Sequence, residues 1–165
     1  MPCFDDTTNL NKLPYFSKML NSHYQVDISL DLKTFEFVSV GTKGGVTKVV
    51  RYSEINVKWF YNLGFGDKDP VTGYLSDLSV TNNGDSQKVL ATVAATLYAF
   101  IDKYPDAVVI VTGSTQARTR LYRMGISNNI KAIEKDFIIL GLTENDWETF
   151  QNNITYGAFL VRRKT

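Results

Sequence analysis

Between residues 24 and 32 apolar and polar positions alternate strictly. Tyr24, Val26, Ile28, Leu30 and Leu32 share one side and Gln25, Asp27, Ser29 and Asp31 the other, the period of a half-buried strand. Further strands are predicted over residues 35–40, 46–55, 57–63 and 73–80, with a turn at Gly41-Thr42-Lys43-Gly44-Gly45 and a loop over residues 64–70. A short helix, interrupted by Pro14, is predicted within residues 8–21. The period then changes. Val89, Leu90, Val93, Ala94, Leu97, Tyr98, Ile101 and Tyr104 recur at helical spacing, which predicts a helix over 86–104 with Asp85 as N-cap and Pro105 as its stop. Residues 107–111 are a continuous, β-branched apolar run, the pattern of a strand buried on both faces. Strand, helix and strand over 73–111 predict a right-handed βαβ unit. A second helix is expected over 115–124, ended by Gly125, and one more turn capped by Ser127 and running to 133. Strands over 137–142 and 154–161 follow, with a short helix around Trp147 between them. The whole predicts one α+β domain over residues 1–165: an antiparallel N-terminal meander, then a βαβαββ-like half.

Composition narrows the function classes. With 44% hydrophobic and 21% charged residues in 165, the chain has an ordinary globular make-up, long enough to bury a core. A net charge of +1 lacks the basic excess that neutralising nucleic-acid phosphates demands, so nucleic acid is not an expected partner. Cys3 is the one cysteine, which excludes an internal disulfide and a cysteine-based zinc site. The N-terminus has neither the basic nor the apolar region of a signal peptide, and apolar stretches stop short of the ~18 residues of a membrane span. The expectation is a cytoplasmic protein without membrane contact, its oligomeric state left open.

The segment Val111-Thr112-Gly113-Ser114-Thr115-Gln116-Ala117-Arg118-Thr119-Arg120-Leu121-Tyr122-Arg123 holds three of the six arginines. A buried strand running out through Gly113, Ser114 and Thr115 into a helix is where open α/β arrangements bind ligands, and free amides with the positive helix end favour an anion. On a wheel of about 100° per residue, Ala117, Leu121 and Met124 form an apolar stripe. Arg118 and Tyr122 fall on one side of it with Ser114 near, and Arg120 and Arg123 on the other. The expected site is therefore Gly113, Ser114, Thr115 and Arg118, while Arg120 and Arg123 are expected to lay their stems over apolar surface. Ser114 has an alternative as a plain N-cap. Neither a phosphate-loop motif nor a nucleophile elbow is present.

Other chemistry is sparse. His23 is the only histidine, so a histidine metal cluster is excluded and no metal site is expected. Asp67, Asp69 and Asp77 fit neither a calcium loop nor a paired-carboxylate spacing and read as a solvated loop. Arg162-Arg163-Lys164 reads as a solvated basic tail. Asn82-Asn83-Gly84-Asp85 before the long helix is a second anion corner, weakened by the Asp85 carboxylate.

The run Gly113-Ser114-Thr115…Arg118-Thr119-Arg120-Leu121-Tyr122…Ile126 resembles the signature of a family of uncharacterised bacterial proteins of similar length, over most of the chain and with no known activity. The order of elements also resembles the N-acetyltransferase superfamily. That resemblance implies acetyl-CoA as cofactor, its pyrophosphate held by the loop of Asn83, Gly84 and Ser86, with Tyr122 as the acid that protonates the leaving thiolate. The chain departs from that pattern in both places. The family's Q/R-x-x-G-x-G/A has become Asn82-Asn83-Gly84-Asp85-Ser86-Gln87, and its L-Y-x-x-x-G-F has become Leu121-Tyr122-Arg123-Met124-Gly125-Ile126, one residue short. Two functions follow as expectations. The first is a non-catalytic module, without cofactor, that binds an anionic group of a metabolite or protein partner. The second is an acyl-CoA-dependent N-acyltransferase.

Overall fold

The computed structural model describes residues 4–5, 23–76 and 81–165. The fold is α+β, and the chain divides into two compact units. Of the described residues, those up to Tyr52 and those from Gly64 to Lys103 form the first, and Ser53–Leu63 with Tyr104–Thr165 form the second. The helix expected within 8–21 lies outside the described residues.

In the first unit four strands pair antiparallel in sequence order: β1 (Phe4–Asp5), β2 (Asp27–Ser29), β3 (Thr34–Gly41) and β4 (Gly44–Glu54). The first of the expected strands is cut short by its own turn chemistry. Asp31 Oδ1 accepts from Ser29 Oγ at 2.6 Å and from Lys33 N at 3.0 Å, and Thr34 N donates to Ser29 Oγ at 3.0 Å. The side chains of Ser29 and Asp31 thus take backbone and hydroxyl protons into a turn where alternation predicts more strand, and Leu30 ends up exposed. The hairpin turn of β3 and β4 falls at Thr42-Lys43, inside the expected glycine-rich segment.

Next comes β5 (Phe60–Asp67), which runs on into the predicted loop as far as Asp67. Its inward alternation of Tyr61, Leu63 and Phe65 continues past the glycines, so the period outweighs the composition. Asp67 is correspondingly buried rather than solvated. Leu75 makes an isolated bridge to Lys68 where the strand over 73–80 was expected, and Asp77 lies outside the described residues. Helix α1 (Ser86–Lys103) buries every residue from Ala95 to Ile101, as a helix surrounded by apolar side chains must, and Phe100 stacks on Tyr52 at 4.1 Å. Among the described residues, no helix is long and apolar enough to cross a membrane.

In the second unit the strand order is β5, β6 (Val108–Val111), β9 (Phe159–Arg163), β7 (Phe137–Leu142), β8 (Trp147–Thr149). β5 and β6 are parallel neighbours, with Phe60 opposite Val108, and the chain between them includes α1. This part of the fold differs from the expected order of elements in three ways. The chain's last strand, β9, inserts antiparallel between β6 and β7. Trp147 opens a strand, because Thr143 and Asp146 close a hairpin turn: Thr143 N donates to Asp146 O at 2.9 Å and Asp146 N to Thr143 Oγ1 at 3.1 Å. Helix α2 (Gln116–Asp136) does not stop at Gly125, whose carbonyl accepts from Asn129 Nδ2 at 2.8 Å. Arg162 and Arg163, expected in a tail, belong to β9 and pair opposite Val108 and Phe137.

Candidate functional site

β6 delivers the chain at Val111 into Thr112, Gly113 and Ser114, and Thr115 caps α2 with extended backbone, its side chain accepting from Arg118 N at 3.2 Å. A Cβ at Gly113 would run into the amide and hydroxyl of Thr119, so the first turn of α2 closes on the turn only because residue 113 has no side chain. The cap satisfies one of the four orphan amides of the helix start. Those of Gln116 and Ala117 have no carbonyl partner within the helix.

This corner opens on a groove of about 810 Å³ whose described lining residues all belong to the second unit. Gly113, Ser114 and Thr115 line it, as do Gln116, Thr119, Arg120 and Arg123 from α2. Leu142, Thr143 and Glu144, at the end of β7 and in the turn after it, contribute a further wall. Thr155, Tyr156 and Gly157, before β9, complete the lining. Tyr156 is 2% exposed, its ring laid where Gly141 has no side chain, and its hydroxyl donates to Glu148 Oε1 at 2.8 Å and accepts from Gln151 N at 3.1 Å. It is a fixed wall of the groove.

The arginines are placed differently from the wheel. The buried positions of α2 are Tyr122, Asn129 and Ile133, while Ala117 and Met124 are exposed, so the inward face is rotated away from the predicted stripe. Gln116, Thr119, Arg120 and Arg123 then share an i, i+3, i+4, i+7 face, and that face lines the groove. Arg118 is absent from the lining. Its Nη1 donates to Ser114 Oγ at 2.9 Å. Arg123 Nη1 lies 3.4 Å from both Ile154 O and Thr155 Oγ1, a weak tie between α2 and the segment before β9. Arg120 is exposed and has no hydrogen-bond or ion-pair partner among the described residues. The structure thus keeps Gly113, Ser114 and Thr115 together, sets Arg118 behind Ser114, and brings Arg120 and Arg123 in. The signal for those two was the polar i, i+3, i+4, i+7 face. Thr143, Glu144 and Thr155 carried no signal in the sequence.

A family of unknown function, DUF6934, matches residues 20–164. The chain belongs to the DUF6934 family. The match takes in both described helices and every described residue of the groove lining. No curated protein and no solved structure matches the chain.

The other helix start of this DUF6934 protein, in the first unit, is filled from within. Asn83 is 2% exposed: its Nδ2 donates to Gly44 O at 2.8 Å and to Ser39 O and Oγ at 3.2 Å, and its Oδ1 accepts from Lys43 N at 2.6 Å. Asp85 Oδ2 accepts from the hydroxyls of Tyr24 at 2.5 Å and Ser39 at 2.6 Å. Burial pulls the Asp85 pKa upward, but these hydroxyls and the more distant Lys48 outweigh it, and the carboxyl sits below its ordinary value. A carboxylate therefore stands beside the exposed Gly84 and Ser86. Lys48 and Asp67 form a buried ion pair next to this corner. Asp67 Oδ2 accepts from Thr81 N at 2.9 Å and Oγ1 at 2.6 Å, and Lys48 Nζ donates to Thr81 O at 2.7 Å. Tyr122, in the second unit, is a core residue. Burial pushes its hydroxyl up to about 12, with Arg118 pulling the other way.

Proposed function

We propose that this DUF6934 protein is a small non-catalytic binding module that holds an anionic group, carried by a metabolite or a partner, in the groove at the start of α2. One observation carries the reading. Arg120 has no hydrogen-bond or ion-pair partner among the described residues and lines the groove with Arg123, one to two turns in from the positive end of a 21-residue helix. Guanidinium groups form the strongest hydrogen bonds to carboxylate and phosphate oxygens. Ser114 adds to this. Its oxygen accepts from Arg118, so its O–H proton is left to donate elsewhere, and the groove is the open direction. Arg118 acts through Ser114 as a positioning residue.

The acyl-CoA-dependent alternative would draw on Asn83, Gly84, Ser86 and Tyr122 and has less behind it. The Asn83 amide is taken up by the β3–β4 turn, Asp85 places negative charge at the loop, and a hydroxyl at about 12 is a weak proton donor.

Calorimetric titration with pyrophosphate and a panel of phosphorylated metabolites tests the module. Arg120→Ala is expected to weaken binding by roughly 10- to 100-fold, the worth of a charged hydrogen bond. Arg118→Ala is expected to weaken it less. Unchanged affinity in Arg120→Ala would remove the groove as the site.

A further inference from the structure

The groove is much larger than a phosphate, and the polar groups that line it beyond the arginines say what else it accommodates. Taking the anion-binding reading as given, we propose that the ligand is a phosphorylated sugar or polyol: one phosphate at the α2 end and a neutral, hydroxyl-bearing body along the rest of the groove.

Three features support this. The first is size. At about 810 Å³ the groove falls within the range of sites that enclose whole metabolites, roughly 300–1,000 Å³. The second is the inventory of groups. Besides Arg120 and Arg123 the described lining offers the Gln116 amide, the Glu144 carboxylate and the Thr155 hydroxyl, 3.4 Å from Arg123 Nη1, while the Thr143 hydroxyl is taken up in its own turn, donating to Asp146 O at 2.8 Å. A carboxylate only accepts hydrogen bonds at neutral pH, and hydroxyls both donate and accept. A polyol, which presents O–H groups and lone pairs together, satisfies all of them. Glu144 also disfavours a second phosphate along the groove, because two negative groups repel in a partly desolvated site.

The third feature is the lack of an aromatic platform among the described residues. Of these, Tyr156 is the one aromatic ring in the lining. It is 2% exposed, tilted against Phe150 and edge-on to Phe159, with its hydroxyl held by Glu148 and Gln151. Its face is not available to a nucleobase, whose binding without stacking forgoes the main sequence-tolerant contribution of such sites. Among the described residues Leu142 is the one large aliphatic side chain in the lining, too little for an acyl chain.

The experiment is a calorimetric comparison on the full chain. Inorganic phosphate, glycerol 3-phosphate, ribose 5-phosphate, glucose 6-phosphate and adenosine monophosphate are titrated into the wild type, Glu144→Gln and Arg120→Ala. At least one of the three polyol phosphates is expected to bind tenfold or more tightly than both inorganic phosphate and the nucleotide. Glu144→Gln is expected to narrow that gap severalfold while leaving inorganic phosphate no weaker, and Arg120→Ala to weaken every phosphate. Polyol phosphates that bind no better than inorganic phosphate would overturn the proposal and leave the anion site standing, as would a preference for the nucleotide. No binding of any of the five would overturn the anion site as well. Equal melting temperatures of wild type and Glu144→Gln establish that the variant is folded, and an unchanged gap in that folded variant would remove Glu144 and the hydroxyl-bearing wall from the argument.

Discussion

Each of the two helices among the described residues begins just after a glycine-containing turn, and the two beginnings have opposite fates. Before α1, the chain closes its own corner: Asn83 is wedged into the β3–β4 turn with hydrogen bonds to both of its amide groups, and the Asp85 carboxylate is held by Tyr24 and Ser39. Before α2, Thr115 satisfies one amide and the rest of the corner opens on a groove with two arginines in its wall. The local dipole is the same in both places. What distinguishes them is whether side chains from elsewhere in the chain supply the negative charge and the hydrogen-bond partners. A helix start has amides and dipole left for an outside anion only where the chain leaves it incomplete.

The largest effect is expected where the closed corner is anchored. Thr81, on its approach, is gripped by Asp67 and Lys48, and the Lys48 side chain is 1% exposed. Asp67→Asn leaves that ammonium buried without its countercharge and should destabilise the fold by about 3–5 kcal/mol, read from urea unfolding. The pH dependence follows from the direction of the shift. Burial raises the Asp67 pKa, but Lys48 and Thr81 more than offset it and hold it below 3.8. The pair's contribution is therefore present above the unfolded value and lost as pH falls through the lower, folded one. Asp67→Asn should flatten that part of the acid profile. A variant as stable as wild type would mean that the first corner is not held by this pair.

Beneath the open corner the comparable buried group is Tyr122. Its hydroxyl ionises near 10 in the unfolded chain and at about 12 in the fold, so the unfolded state sheds its proton first. The stability this confers is full below pH 10 and lost between 10 and 12, by roughly 3 kcal/mol at the difference of about two pKa units. Tyr122→Phe should abolish that loss, which denaturant unfolding at pH 9 and pH 11.5 would register. An alkaline slope identical in wild type and Tyr122→Phe would show that the ring is not buried as a neutral phenol.

Much of this could be read from the residues in order. β3, α1 and β7 lie within a residue or so of their predicted bounds because their apolar periods are set by contiguous sequence. The readings that went astray depend on distant partners. Asp67 looks solvated until Lys48, 19 residues away, is placed against it. Trp147 looks helical until Thr143 and Asp146 close a turn that pairs Trp147 with Leu142. Of the groove lining, the sequence made Gly113, Ser114 and Thr115 visible and pointed to Arg118 rather than Arg120 and Arg123, because Ala117, Leu121 and Met124 offered a plausible stripe while the buried positions are Tyr122, Asn129 and Ile133. Glu144 and Thr155 join the lining through strands arranged by β9, which enters between β6 and β7. No local pattern encodes that insertion.

The two corners can also be separated by a pair of matched substitutions. Asn83→Ala strips the closed corner of a side chain that bridges four backbone and hydroxyl groups, leaving Lys43 N and Gly44 O to find water. It should lower stability by about 1–3 kcal/mol. Thr115→Ala removes the cap of α2 and should cost about 1 kcal/mol, because Arg118 N sits near solvent and recovers a water partner. Binding should show the reverse. With the groove as the anion site, Asn83→Ala leaves pyrophosphate affinity unchanged at a temperature where both variants are folded. Thr115→Ala lowers that affinity severalfold, because Thr115 lines the groove and its hydroxyl steadies the first turn whose free amides face the ligand. If Asn83→Ala were the variant that lost binding, the closed corner would be the functional one and the contrast between the two helix starts would invert.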